Sequence, residues 1–330
     1  MRVLFIGGTG VISSACAELA ARAGLELTIL CRGMTDRPVP AGVSVLRADM
    51  RDPASVWSAL GTRRFDVVVD WIAFTPDHVE LDLELFNGKV GQYVFISSAS
   101  AYQRPPADLP VVESSMLDNP VWPYSQAKMA CEARLVRACR EEKFPVTIVR
   151  PSHTYDERTL PVRGRWTVVE RMRRGKPVVV HGDGTSVWVL THRRDFAKGF
   201  VPLLGDSAAI GDTFHITSDE QLTWNQIYTL LGRAAGVEPT LVHVPSAVIA
   251  ACDPEWGVSL LGDKTHSMIF DNAKIKRLAP GFAATIPFAR GAAEIVAWHD
   301  ADPSRRGIDE AFDRLNDRLV AGITSLSAVS

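Results

Sequence analysis

The chain has 330 residues, 46% of them hydrophobic and 22% charged, with a formal net charge of −2. That composition is ordinary for a folded globular protein and excludes a disordered or fibrous chain. The charge balance also excludes a global attraction to nucleic acid or to anionic membranes, leaving only local patches.

Five cysteines, Cys16, Cys31, Cys131, Cys139 and Cys252, form neither a CxxC nor a zinc-ligand spacing and read as reduced thiols in a cytoplasmic protein. No metal motif is present, so His78, His215 and His243 read as structural or surface residues. The opening MRVLFIGG meets glycine too early for a signal peptide, and no stretch approaches the ~20 apolar residues of a membrane span. Neither export nor a membrane anchor is expected.

Apolar runs of strand length recur at 3–6, 27–30, 43–46, 66–70, 93–96 and 146–149, with helical periodicity between them. Unbroken Val/Ile/Leu runs suit strands buried on both faces, and their alternation with helices predicts a doubly wound parallel sheet of the Rossmann kind. After Arg150 the alternation becomes irregular. A basic amphipathic stretch (WTVVERMRRGK), the turn HGDGTS, a helix over 195–204, the strand TFHIT, a helix over 224–235, the strand LVHV and a terminal helix within 307–323 follow. TFHIT is expected to rejoin the first sheet. The organisation read from this is a dinucleotide-binding domain over 1–150 and 191–217, a smaller discontinuous α/β substrate lobe over 151–190 and 218–300, and a C-terminal helix and tail over 301–330.

GGTGVIS, Gly7 to Ser13, lies at the first strand-to-helix turn, where glycines let the backbone approach a pyrophosphate held against the helix N-terminus. Gly7, Gly10, Val11 and Ile12 are the resulting cofactor candidates. An acidic residue that would bind the adenosine ribose of NAD is missing from the end of the second strand, which reads Cys31-Arg32-Gly33. Arg32 can pair with a 2′-phosphate, so NADP is favoured over NAD; otherwise Arg32 is an exposed surface residue. Asp49 and Met50, after the third strand, either line an adenine pocket or, for Asp49, cap the helix that begins near Pro53.

PYSQAK places Tyr124 and Lys128 at i and i+4 on one face of a helix. A free tyrosine titrates near 10, and a neighbouring ammonium stabilises the phenolate and lowers that value. ISSASAY, residues 96–102, follows the fifth strand at the same sheet edge, where Ser98, or Ser100 after it, can hydrogen-bond a substrate oxygen.

In order and spacing, GGTGVIS, RADMRD, SSASAY, YSQAK, RPSHTYD and HGDGTSVWVLTHRRDFAKG resemble the extended short-chain dehydrogenase/reductase superfamily, in its nucleotide-sugar epimerase/dehydratase branch, as far as about His299. The resemblance implies Tyr124 as catalytic acid/base, Lys128 as holder of the nicotinamide ribose and Ser98 as polariser of the reacting C–O group. It also adds Ala73 and Pro151 to the cofactor site, and Ser100, His153, Tyr155, Trp166, Trp188 and Arg194 to the substrate site. A homodimer, paired through the YxxxK helix and the helix before it, is a further expectation.

The chain departs from the family pattern at four places. Ser13 replaces the third glycine. Asp70-Trp71-Ile72-Ala73 replaces histidine-leucine-alanine-alanine, predicting a bulkier and more acidic cofactor crevice. Trp188 stands where an arginine usually contacts the sugar-nucleotide diphosphate, and His153 where asparagine is common; Arg163, Arg165, Arg193 or Arg194 are candidates to supply the lost charge. Ala99-Ser100 replaces the acidic pair of sugar 4,6-dehydratases, which disfavours elimination chemistry.

The leading reading is an epimerase acting on a carbinol carbon of a sugar-like substrate through a keto intermediate. A keto-sugar reductase using the same residues stands beside it. A third reading, RNA binding on the same fold, rests on a resemblance to chloroplast stem-loop RNA-binding proteins and on the basic, Trp166-containing strip from Arg163 to Lys176.

Overall fold

The structure, a computed structural model, describes residues 1–327. Its centre is a seven-stranded parallel sheet. The strands are β1 (Arg2–Ile6), β2 (Glu26–Cys31), β3 (Ser44–Arg47), β4 (Val67–Asp70), β5 (Gln92–Ile96), β6 (Val146–Pro151) and, after four short strands, β11 (Thr213–Ile216). Their spatial order is β11-β6-β5-β4-β1-β2-β3. This is the doubly wound fold the apolar runs predict: β4 and β5 are buried along their whole length, with helices on both faces.

α1 (Val11–Arg22) follows β1, α2 (Pro53–Leu60) follows β3, α3 (Pro76–Phe86) follows β4 and α4 (Pro123–Glu142) precedes β6. Strand order reverses between β1 and β4, which splays the loops after their carboxyl ends and opens a crevice there. α1 packs closely because its inward face is small: Ser13, Ser14, Ala15, Cys16, Ala17 and Ala20 are all buried. α4 turns Ser125, Lys128, Cys131, Glu132, Leu135 and Ala138 inward at helical spacing. Lys143 ends it in the left-handed region, with φ of 59°.

Between β6 and β11 the chain forms β7 (His153–Tyr155), α5 (Trp166–Arg173), β8 (Val178–His181), β9 (Val187–Trp188), β10 (Leu190–His192) and α6 (Arg193–Phe200). β10 pairs with β7 in a small parallel ribbon. Beyond β11 come β12 (Leu222–Thr223), α7 (Trp224–Ala234), β13 (Leu241–Val244), α8 (Ser246–Cys252) and α9 (Pro254–Ser259), then α10 (Ala273–Leu278), α11 (Phe288–Asp300) and α12 (Glu310–Ser327). β12 pairs antiparallel with β9, and β13 pairs parallel with β8. These elements enclose a separate hydrophobic core built around Trp166, Trp188, Trp224 and Trp256. It overhangs the carboxyl edge of the sheet.

No described helix is long and apolar enough to cross a membrane. Among the described residues no cluster of histidine, cysteine and carboxylate side chains has the arrangement of a metal site.

Candidate active site

The turn after β1 is shaped for a close ligand. Gly7 has φ of +84°, and a Cβ there would lie 2.4 Å from Ile72 Cγ2. Ser13, in place of the third glycine, ties the turn: its hydroxyl accepts from Gly10 N at 2.7 Å and donates to Gly7 O at 3.2 Å. A cleft of about 360 Å³ opens beside this turn, lined by Gly7, Thr9 and Gly10, by Arg32 and Gly33 after β2, by Asp49 and Met50 after β3, and by Asp70, Ala73 and Phe74 after β4. Val11 and Ile12 open α1 beside the cleft and are not among its lining residues. A glycine turn at a helix N-terminus, facing a cleft at the sheet's switch point, fits a dinucleotide.

Asp49 does not cap α2. Asp52 does, accepting from Ala54 N and Ser55 N. Asp49 instead accepts from Arg51 N and lies 3.8 Å from Arg32, both side chains being largely exposed. Arg32 therefore faces a carboxylate from β3, although β2 itself lacks one.

The four-residue departure after β4 resolves into separate roles. Trp71 turns into the core against Phe5 and Phe200, with ring centroids at 5.3 and 4.8 Å, so the crevice is not narrowed by it. Ile72 supplies the bulk, pressed on Gly7. Asp70 Oδ1 accepts from Ile72 N at 2.5 Å and Ala73 N at 2.7 Å. Its charge remains close enough to Lys128 to favour the ammonium form. Behind it, buried Asp82 accepts from the Tyr93 hydroxyl, and burial together with Asp70 holds the Asp82 carboxyl well above the usual range.

Ser98, Tyr124 and Lys128 meet at the carboxyl ends of β4 and β5. Asn119 Oδ1 accepts from Trp122 N at 3.2 Å just before Pro123 opens α4, which fixes the approach to the first turn and Tyr124 on it. Lys128, 1% exposed, donates from Nζ to Ala73 O at 2.6 Å and Ile96 O at 2.7 Å, bridging the two strand ends. Burial lowers its ammonium to about 8, with Asp70 opposing. Ser98 Oγ lies 2.9 Å from Ser100 Oγ, which accepts from Ser125 Oγ at 2.8 Å, so the predicted pair of serines sits in a chain of three hydroxyls.

Tyr124 differs from the sequence expectation in one respect. Burial raises its phenol above the ordinary value, Ser98 opposing and Asp263 adding to the rise. Lys128 does not overcome this, because its Nζ lies 6.0 Å from the tyrosine ring and is held by two carbonyls.

Ser98 and Tyr124 open onto a second cavity of about 350 Å³, walled by Ser100, Arg104, Trp122, Pro151, His153, Trp188, Asp263, Lys264, Met268 and Phe270 among others. Phe74 of the first cleft stands 6.4 Å from Tyr124, so the two spaces adjoin at the tyrosine. Pro151, assigned to the cofactor in sequence, lines this second cavity. Trp188 Nε1 donates to His153 Nδ1 at 3.1 Å, which makes the two substituted positions one unit. Burial takes His153 down to about 3, so it is neutral.

Three expected substrate residues lie elsewhere. Tyr155 is fully buried between His192 and Phe288, because Gly291 leaves room for its ring; its hydroxyl has no partner. Trp166 is buried and stacks on His299 at 4.6 Å and 6°. Arg194 is bound by Glu294 at 2.6 and 2.7 Å. Of the other arginines expected to replace lost charge, Arg193 fastens α6 to Ser14, Glu18 and Glu157, while Arg165 is exposed on the loop before α5. Arg163 pairs with Asp253 and Glu255.

The basic strip is neutralised in the same way. Arg171 and Lys176 pair with Asp313 and Asp317, Arg173 with Asp300 and Arg174 with Glu170.

Sequence reasoning missed Arg104, Trp122, Asp263 and Lys264. Arg104 Nε and Nη2 donate to Asp263 Oδ1 at 3.2 and 2.8 Å, and its remaining N–H groups bind the carbonyls of Ala99, Tyr102 and Gln103. Asp263 and Lys264 lie on a single wide turn, Leu260–Lys264, closed by Thr265 N on Leu260 O at 3.0 Å. Such π-turns bring out side chains that a regular helix would space differently. The only signal in the sequence is the adjacent Asp-Lys, 159 residues away from Arg104.

Ser98, Tyr124 and Lys128 fall within a stretch that matches a known family profile. Residues 3–216 match that of the NAD dependent epimerase/dehydratase family, well over half of the chain. The chain belongs to this family. It is an NAD(P)-dependent enzyme of the extended short-chain dehydrogenase/reductase type. Among curated proteins, 2′-dehydrokanamycin reductase of Streptomyces kanamyceticus is 25% identical over 294 residues, 86% of this chain and 80% of that one. Chloroplast stem-loop binding protein of 41 kDa b, from Arabidopsis thaliana, is 26% identical over 256 residues, 73% of this chain and 65% of that one. UDP-glucuronic acid 4-epimerase of Bacillus cereus, solved with UDP-glucuronic acid and NAD, superposes with a TM-score of 0.72 at 19% identity, covering 91% of this chain and 99% of that one. That likeness is one of fold.

Proposed function

We propose that this family member oxidises or reduces a carbinol carbon of a sugar-like substrate in the cavity at Tyr124, with epimerisation through a keto intermediate as the leading reading. The observation that carries it is the joining of Ser98, Tyr124 and Lys128 between a dinucleotide-shaped cleft and a second, substrate-sized cavity. A bound nicotinamide supplies hydride acceptance and donation.

The chain's own residues supply the rest. Ser98 donates a hydrogen bond to the reacting oxygen, backed by Ser100 and Ser125. Tyr124 takes the hydroxyl proton on oxidation and returns it on reduction. Lys128, with two of its three N–H donors already on Ala73 O and Ile96 O, holds a positive charge at fixed distance from the phenol. Gly7 and Gly10 hold the pyrophosphate, while Ala73 and Met50 line the cleft.

One observation favours a reductase as the second reading: the similarity to 2′-dehydrokanamycin reductase runs over most of both chains. The two readings differ in cofactor retention. Purified protein is denatured and any released dinucleotide identified by mass spectrometry against a matched blank. Stoichiometric retained dinucleotide supports the epimerase, whereas a protein isolated empty that binds added NADPH reversibly supports the reductase. NADP is proposed over NAD because Arg32 borders the cleft; Arg32→Ala is then expected to cost about tenfold in NADPH affinity and little in NADH affinity. Equal losses for both would remove that preference.

The protein is further proposed to be a cytoplasmic homodimer pairing through α3 and α4, supported by the family resemblance and by five unpaired cysteines. Sedimentation tests the dimer.

A further inference from the structure

Behind the catalytic cavity lies a third space of about 190 Å³, lined by Leu160, Val162, Trp224, Tyr228, Trp256 and Leu260 among others. His153 and Lys264 line both spaces, so they form the partition between them. Resting on the functional reading above, the inference concerns what part of a substrate reaches through that partition.

The walls carry little free positive charge. Arg104 is closed onto Asp263 and three backbone carbonyls. Arg163 is held between Asp253 and Glu255. His153 and His181 are both neutral, burial lowering them to about 3 and about 4. Lys264 remains, with its ammonium 3.5 Å from Asp263 Oδ2 and lying over the rings of Trp122 and Trp188 at 5.2 and 6.0 Å. A diphosphate taken from water into this space would have one already engaged lysine as its counter-charge, and burying anions without partners is strongly unfavourable.

What the walls do offer is aromatic surface interleaved with uncharged polar groups, among them Tyr228, Ser259 and the two neutral histidines. Trp188 and Trp224 lie 5.7 Å apart at 35°, His181 meets Trp224 edge-on at 4.8 Å, and the Trp224 indole N–H is buried without an acceptor. Flat rings pack against the C–H faces of a sugar or against an aromatic aglycone, and their few N–H groups fix orientation.

We propose that the substrate is a glycoside without a phosphate, its reacting ring at Tyr124 and its second ring in the aromatic chamber behind His153 and Lys264. Two substitutions test the two halves of the argument. Ser259 lines the chamber, so Ser259→Phe fills it with an added ring. Trp188→Arg puts a cation where the wild-type chain has an indole.

Calorimetric titrations with phenyl β-D-glucoside and with UDP-glucose, run with and without NADPH, give the readout. The glucoside is expected to bind at least tenfold more tightly than UDP-glucose. Ser259→Phe should cost the glucoside at least tenfold with the circular dichroism spectrum unchanged, and Trp188→Arg should raise UDP-glucose affinity at least tenfold. UDP-glucose binding as tightly as the glucoside, failure of both to bind, or indifference to Ser259→Phe would each overturn the proposal. Loss of the functional reading shows separately, as failure to bind either NADPH or NADH, or as turnover unaffected by Tyr124→Phe.

Discussion

The two adjoining spaces at Tyr124 are built on opposite principles. The dinucleotide cleft is made of backbone: a glycine turn, strand ends and a helix N-terminus, with Lys128 pinned by two carbonyls. The substrate cavity is made of side chains brought from distant segments, such as Arg104 against Asp263 and Trp188 against His153. Backbone sites are specified by short local motifs and tolerate drift elsewhere. Side-chain sites change identity with single substitutions, as at Trp188 and His153, whereas the departures at Ser13 and Asp70–Ala73 leave the backbone cradle in place.

The sharpest way to break the comparison is at the shared residue. Tyr124→Phe is expected to lower turnover by about 10²–10⁴-fold while dinucleotide affinity and folding stay near wild type, since it removes only the proton-transfer group. Steady-state kinetics beside dinucleotide titration read both. Retained turnover would remove Tyr124 from the chemistry.

Arg104→Ala tests the side-chain half, because it leaves Asp263 in a buried wall with only the more distant Lys264 as counter-charge and no hydrogen-bond donor from Arg104. A stability loss of about 3–5 kcal/mol is expected, most of it recovered when Asp263→Leu is added, as measured by denaturant midpoints. A loss below 1 kcal/mol would mean that water satisfies Asp263.

On the backbone side, Gly7→Ala meets both a positive φ and the Ile72 methyl group at 2.4 Å. It is expected to weaken dinucleotide binding by about tenfold or more, at a stability cost of about 1–2 kcal/mol. The binding of a phosphate-free glycoside should change less.

A last effect is set by pH. Lys128 is held at about 8, against an ordinary value of about 10.4 in an unfolded chain. Between those values the unfolded chain keeps a proton that the folded one has released, so this residue's contribution makes stability rise with pH across that window. Turnover, which needs the ammonium, should fall over the same range. Lys128→Met should lack the stability rise, and identical pH–stability curves for the two proteins would refute the assignment.

Legibility in the sequence followed the same division. The strands of the main sheet, the return of TFHIT to its edge, the glycine turn and the Ser98/Tyr124/Lys128 meeting point could be read because each rests on local periodicity or on a turn that only small residues allow. Trp71 shows the limit. Its neighbours signal the crevice, but β4's pleat sends Trp71 to the opposite face, onto Phe5 and Phe200. The resemblance placed Tyr155 and Trp166 at the substrate, and packing claims them instead. Asp263 and Lys264 could not be found beforehand, since what brings them to the cavity is a turn one residue wider than a helix, and Arg104 waits for it in a loop far upstream.

The position of β11 bears on how the molecule can be cut. It hydrogen-bonds the outer edge of β6, and Thr147 and Gln92 are further tied to Ala209 O and Leu203 O. A fragment ending near Arg150 would hold every residue of the glycine turn yet leave the VTIV strand with an unpaired backbone edge, the kind of surface on which chains stack into aggregates. The first 150 residues are therefore not a portable module: the chain must run on through the tryptophan-centred core and come back at β11 before its sheet is safe in water.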